Sequence, residues 1–324
     1  MPRKLLNAAI IIVALVLLYV CWLNRYWFYD EYRLFGYHPP SAVVSIANQD
    51  ELTPYARTLF YVYHPDLEDK TQFNQNCRVT NQAIVLGCTV IGRGIYLYNI
   101  KDPTLNGIEQ VTAAYEMLHV AYSRLSTSER NKIDSLVIAT YNKVSVNDPE
   151  LRAEYQSYLK TEGQGAIDNE MHSTLGTEIT NLPPALEQYY NKYFINRSVI
   201  LSYFSQYQSL FTQRQQTVTT DDQKLVVMNI QIQSNEVSLK YELVNINDLQ
   251  DVMNQYKNSG QYSNYNADVP KYNYLVDQYN QLIYSIQSLI QQYNQLVALR
   301  NSAAVSENKL TQEISSQNLS TLSP

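Results

Sequence analysis

Glycine is scarce in this chain, with nine residues in 324. So few glycines count against Gly-rich phosphate loops and against turn-dense all-β folds. Three cysteines are too few for a small disulfide-scaffolded protein. There is no long basic run, and 24 Lys and Arg stand against 30 Asp and Glu, a net charge of −6. That balance counts against nucleic acid as a partner. No Walker or dinucleotide-binding motif occurs, and spacing picks out no Ser-His-Asp or Cys-His arrangement. What the chain has in quantity is hydrophobic residues, at 45%, and tyrosine, at 29 residues. Its length is ample for a real core, in one large or two modest globular units.

Leu5 opens and Leu23 closes a run of 19 residues that is apolar except for Asn7. A helix of that length spans about 28 Å, close to the ~30 Å hydrocarbon core of a bilayer. Arg3 and Lys4 precede it, and Trp22, Tyr26, Trp27 and Tyr29 stand where an interfacial aromatic belt would. A cleaved signal peptide would have a shorter apolar core and an A-x-A-like site, and neither is present. Cys21 follows Leu18-Tyr19-Val20, without the small residue that a lipoprotein cleavage box wants before its Cys. Residues 1–25 therefore read as an uncleaved transmembrane signal anchor, with Leu5, Trp22, Leu23 and Trp27 as anchor residues. Positive charges flank both ends; the free α-amine favours a cytoplasmic N-terminus. The expected localisation is the cell membrane, single-pass, with the bulk of the chain extracytoplasmic. An exported domain could pair Cys77 with Cys88 across a short loop; two buried free thiols are the alternative.

Residues 26–58 read as a linker, ending in Pro39-Pro40, followed by a first helix over 41–57 with Asn48 or Asp50 as cap candidates. Three runs are strand-like: 59–63, 83–90 and 94–100. Helices are predicted over 105–125, from a Ser126–Ser128 cap to about 144, from Asp148-Pro149 to about 161, and over 166–175, stopped by Gly176. From about residue 199 apolar residues alternate at spacings of three and four, through Phe211, Leu225, Ile232, Leu239, Ile246 and Met253. Residues 257–270 are small and polar and should turn. A second seam runs from Tyr272 to Leu296. Spacing sustained over this many heptads predicts a coiled coil, and two arms about one loop predict an antiparallel hairpin over 183–302. Arms packed on the globular part, or paired between chains, are the alternatives. Arg214, Asp221, Asn235 and Glu242 interrupt the seam, as register-fixing residues do. Residues 303–324 lack periodicity and read as a disordered tail. The expected fold class is α+β, mostly α: a transmembrane helix, a small domain with a short sheet over 59–182, and a long helical hairpin.

One place looks like chemistry. The predicted helix 105–125 carries Tyr115-Glu116-Met117-Leu118-His119. In the H-E-x-x-H pattern two histidines at i and i+4 share a zinc on one helix face, and the Glu acts as general base on bound water. Glu116 and His119 stand at the Glu and second His; Tyr115 stands at the first. Downstream come Asp168-Asn169-Glu170-Met171-His172 and Gly176-Thr177-Glu178.

Residues of about 55 to 180 resemble the zincin metallopeptidases of the gluzincin group, and are similar to bacterial membrane-anchored proteins with an intact H-E-M-L-H-x-A-Y helix. The resemblance implies that strand 94–100 is the edge strand aligning substrate. It also implies that Glu170 is the third zinc ligand, with Glu178 in reserve, and that Tyr115 or His172 would complete any rebuilt shell. With one histidine missing, it implies a domain that has lost catalysis and holds no cofactor. An active zinc-dependent endopeptidase with an altered ligand set, zinc its cofactor, is the rival. A module that holds peptides without cutting them is the third reading. Each residue also has a plain structural role open to it. His119 could be a hydrogen-bonded core histidine, Glu116 a satisfied buried acid, and Glu170 and His172 surface residues of a short helix. The partners expected are the membrane, a protein docked through the coiled coil, and a second copy of the chain.

Overall fold

The structure is a computed structural model that describes residues 3–77, 84–161 and 166–316, with the side chains of 3–6, 8, 9 and 161 left aside. The chain is mostly helical, with one three-stranded sheet and two long C-terminal helices. It divides into two compact units, residues 1–209 with 311–324, and residues 210–310.

In the first unit α1 (Arg3–Leu23) leads into α2 (Arg25–Leu34), where the sequence predicts a linker beyond residue 30. Among the described residues no single helix is long and apolar enough to cross a membrane; Ile10–Leu23 and Arg25–Leu34, bent by 65°, pass that test only as a pair. The predicted helix 41–57 is two helices, α3 (Ser41–Gln49) and α4 (Pro54–Val62). Glu51, at φ 48°, lies in the break. Thr53 caps α4 by accepting from the Ala56 amide, with Pro54 at the first turn. The expected strand over 59–63 is therefore helical. Its buried residues are Ala56, Leu59, Phe60 and Val62, in steps of three and four along the helix from Ala56 and Leu59, a pattern that outweighs the β preference of Phe, Tyr and Val.

β1 (Asp66–Glu68) leads to α5 (Lys70–Asn76), and β2 (Gly87–Val90) and β3 (Gly94–Tyr98) form a hairpin. The order is β1-β3-β2, with β1 parallel to β3 and β2 antiparallel to it. Strand 94–98 is thus central, where the resemblance implies an edge. A Cys77–Cys88 disulfide ties the end of α5 to β2. Of the strand expected over 83–90, only 87–90 is extended, and residue 83 lies outside the described residues.

Next come α6 (Ile108–Ser123), α7 (Thr127–Val144), α8 (Pro149–Thr161), α9 (Ile167–Thr177) and α10 (Pro184–Tyr190). Ser126 and Glu129 form a reciprocal capping box on α7, and Asp148 accepts from the Leu151 amide at the start of α8. The core gathers around α6, whose Ala114, Met117, Leu118 and Val120 are fully buried. Gly176 lies inside α9 and does not stop it. A Cβ there would come within 2.5 Å of Leu118 and 2.8 Å of Tyr190, so the glycine permits close packing of α9 on α6.

Asp50 is completely buried, and neither carboxylate oxygen has a hydrogen-bond partner. Burial holds its pKa well above the ordinary carboxylate range, partly offset by Arg57. A folded-state value raised above the unfolded one gives stability that is fully present below the unfolded value, about 3.9. That stability is lost as pH rises through the folded value. Asp50→Asn should remove this slope and make the variant the more stable chain at neutral pH. Thermal midpoints across pH check this; parallel curves for the two proteins would count against it.

The second unit is formed from the parts of α11 (Ser198–Asn258) and α12 (Tyr262–Ile314) that fall within residues 210–310. Arg300 forks onto Asp222 at 2.9 and 3.3 Å, and the Arg214 Nε donates to Ser306 Oγ at 3.1 Å. The paired numbers rise on one helix as they fall on the other, so within this unit the helices form an antiparallel hairpin. The turn is Ser259-Gly260-Gln261, with Gly260 at φ 76°, shorter than the predicted 257–270, and Pro270 lies within α12. The seam does not end at Leu296. It continues through Arg300, Ala303, Glu307 and Leu310, and residues 303–314 of the expected tail are helical. Residues 317–324 lie outside the described residues.

Candidate functional site

α6 presents Tyr115 and His119 one turn apart on the same face. The Tyr115 hydroxyl donates to Glu170 Oε2 on α9 at 2.6 Å. His119 Nε2 lies 3.6 Å from the same oxygen, and the two rings meet edge-on at 4.8 Å. On the sheet side, Thr89 of β2 donates to Glu116 Oε2 at 2.9 Å. Strand β2 can come so close because residue 87 is glycine. A Cβ there would meet Thr112 at 2.6 Å and Glu116 at 2.9 Å. Burial pushes the Glu116 carboxyl up to about 7, while His119 and the Thr89 hydrogen bonds pull it down and Glu170 raises it further.

Two groups that sequence reasoning missed complete the cluster, both on α8. The Tyr158 hydroxyl lies 2.9 Å from that of Tyr115 and donates to Glu154 Oε1 at 2.8 Å. Glu154 is also held above its ordinary range, chiefly by burial. A Glu-x-x-x-Tyr spacing on one helix face is the only trace of the pair in the sequence, and it is too common to point to a site. The four residues Tyr115, Glu116, His119 and Glu170 are thus brought together. His172 is not among them. His172 points the other way, with Nε2 2.9 Å from the Tyr189 hydroxyl, and burial holds its pKa down to about 3. Glu178, just beyond the end of α9, is held well above its usual range by burial, with Glu154 adding to the effect. Trp22, Leu23 and Trp27 are exposed, and the side chain of Leu5 lies outside those described.

The donor set does not fit a catalytic zinc. Such a zinc takes three protein ligands and a water. His119 and Glu170 supply two. The third position holds a phenol whose proton is engaged on Glu170, and whose pKa burial and the neighbouring Tyr158, Glu170 and Glu154 hold well above its usual value. Among the described residues no group of three or more His, Cys, Asp and Glu is arranged to hold a metal. These side chains form a partly buried hydrogen-bonded network that ties α6, α8 and α9 together. No protein-family model matches this chain, no curated protein is significantly similar to it, and no solved structure matches it.

Proposed function

We propose that residues 59–182 form a zincin-like domain without catalysis, within a membrane-anchored, extracytoplasmic protein whose helical hairpin is the interaction element. The observation that carries this reading is the 2.6 Å hydrogen bond from Tyr115 to Glu170, which engages the carboxylate that the resemblance assigns to zinc. The 19-residue run 5–23, apolar except for Asn7, and the bent α1–α2 pair support the membrane anchor. The Cys77–Cys88 bond fits an oxidising compartment. The hairpin supports an interaction role by what it leaves uncovered. Val227, Ile230, Val237, Tyr241 and Val244 are more than half exposed on α11, at three-four spacing apart from Ser234. They lie two residues out of phase with the inner seam, on the opposite side of the helix. A protein partner or a second copy of the chain is what such a stripe accepts.

Cleavage of unfolded peptides by the full chain at saturating zinc tests the loss of catalysis. The expected rate is that of the buffer. An activity abolished by Glu116→Gln would restore the endopeptidase reading.

A further inference from the structure

Helix α2 is amphipathic in the wrong sense for a helix at a water-facing surface. Two of its four charged residues, Asp30 and Arg33, face the protein. Asp30 forms a two-point ion pair with Arg124 at 2.6 and 2.7 Å. Arg33 donates to the carbonyls of Val62 at 2.9 Å and Arg93 at 2.8 Å, and its own carbonyl lies 2.7 Å from His64 Nε2. Tyr29 and Leu34 pack on the core beside them. The opposite face carries Phe28, Tyr32 and Phe35 at i, i+4 and i+7, and they are 48%, 79% and 91% exposed. Trp27 flanks them at 58% exposure, and Glu31 is the one acid on that side. A soluble helix places such residues the other way round.

We propose that α2 lies in the headgroup region of the bilayer, with Phe28, Tyr32 and Phe35 seated at the boundary with the acyl chains. The globular unit is thereby clamped to the membrane surface rather than tethered at a distance. The inference rests on reading α1 as the membrane anchor. Continuity and charge both select lipid as the occupant. The exposed aromatic face runs on directly from the exposed apolar surface of α1. The two helices meet at 65°, so an α1 standing along the membrane normal leaves α2 about 25° from the membrane plane. Arg25, exposed at the corner with its guanidinium over the rings of Trp22 and Tyr26, is placed to meet lipid phosphates. Through the Asp30–Arg124 pair and the Arg33 hydrogen bonds, this placement reaches the start of the α6–α7 turn and the β2–β3 hairpin.

The chain has two tryptophans, so Trp22→Phe leaves Trp27 as a single reporter beside the proposed face. The full-length Trp22→Phe protein is reconstituted in vesicles of three parts phosphatidylcholine to one part phosphatidylglycerol. The vesicles carry lipids brominated near the headgroup or deep in the chain. The expected result is blue-shifted Trp27 emission, quenched most by the shallow bromines, and a several-fold loss of that quenching when Phe28, Tyr32 and Phe35 are all replaced by Asp. Protein that stays in carbonate-washed vesicles yet shows water-exposed, unquenched Trp27 overturns the proposal and leaves the anchor reading standing. Blue-shifted but unquenched emission overturns it by placing protein, not lipid, on the face. Strongest quenching by the deep bromines overturns it by placing α2 inside the hydrocarbon. Extraction by carbonate removes the anchor reading and this proposal together.

Discussion

Arg197→Ala should destabilise the chain by about 3 kcal/mol, the upper end of what leaving buried polar groups unsatisfied costs. Arg197 is 3% exposed, in the segment between α10 and α11. Its guanidinium holds Glu187 through two bonds of 3.0 and 2.7 Å. It also donates to the carbonyls of Ile179 at 2.9 Å, Thr180 at 3.2 Å, Gly176 at 3.3 Å and Leu175 at 3.4 Å. One side chain thus satisfies the carbonyl end of α9 and the loop that follows it. Glu187 is partly exposed and can turn to water, so most of the loss comes from the orphaned carbonyls and the cavity. A loss of that size is a large share of the stability of an ordinary domain. Arg197→Lys keeps the charge but not the planar fork, and should recover only part of it. Denaturant midpoints measure both; a change below about 1 kcal/mol for the alanine variant would contradict the packing described.

Tyr115→His should raise zinc affinity sharply over that of the parent. The substitution frees Glu170 from the phenol that donates to it, and places a second imidazole one turn from His119 on the same helix face. Three ligands would then converge, with Glu116 beside them on the sheet side. Outer-shell partners of zinc sites are commonly worth ten- to hundredfold in affinity, so a restored direct ligand should add on the order of a hundredfold or more. Competition against a chromogenic chelator reads the change. An unchanged affinity would make the likeness to H-E-x-x-H accidental and leave Tyr115 as a packing residue.

Much of the helical order is legible in the sequence because capping chemistry is local. Ser126 with Glu129, and Asp148 with Pro149, mark helix starts that the structure places within a residue. The inner seam of the hairpin is legible because a period of three and four is carried by identity alone. Polar residues hide its continuation. Arg300 and Glu307 occupy seam positions, and Arg300 is recognisable as one only through its contact with Asp222, 78 residues earlier. At residues 59–63 the aromatic and β-branched residues speak for a strand, while Thr53-Pro54 and the buried spacing of 56, 59, 60 and 62 decide for a helix. At the candidate site, spacing along α6 places Tyr115 and His119 on one face. The hydrogen bond from Tyr115 to Glu170 joins helices 55 residues apart and leaves no local signature. The same holds for the bond between Tyr158 and Tyr115, 43 residues apart, and for Asp50, which reads as a helix cap and is a buried unpaired acid.

The most direct test of the loss of catalysis is the metal content of the parent protein. The full chain is purified without chelators, and zinc per chain is measured beside a Glu170→Ala control. The account predicts a folded, helical protein with no zinc above that control. About one zinc per chain, lost in Glu170→Ala, would contradict it.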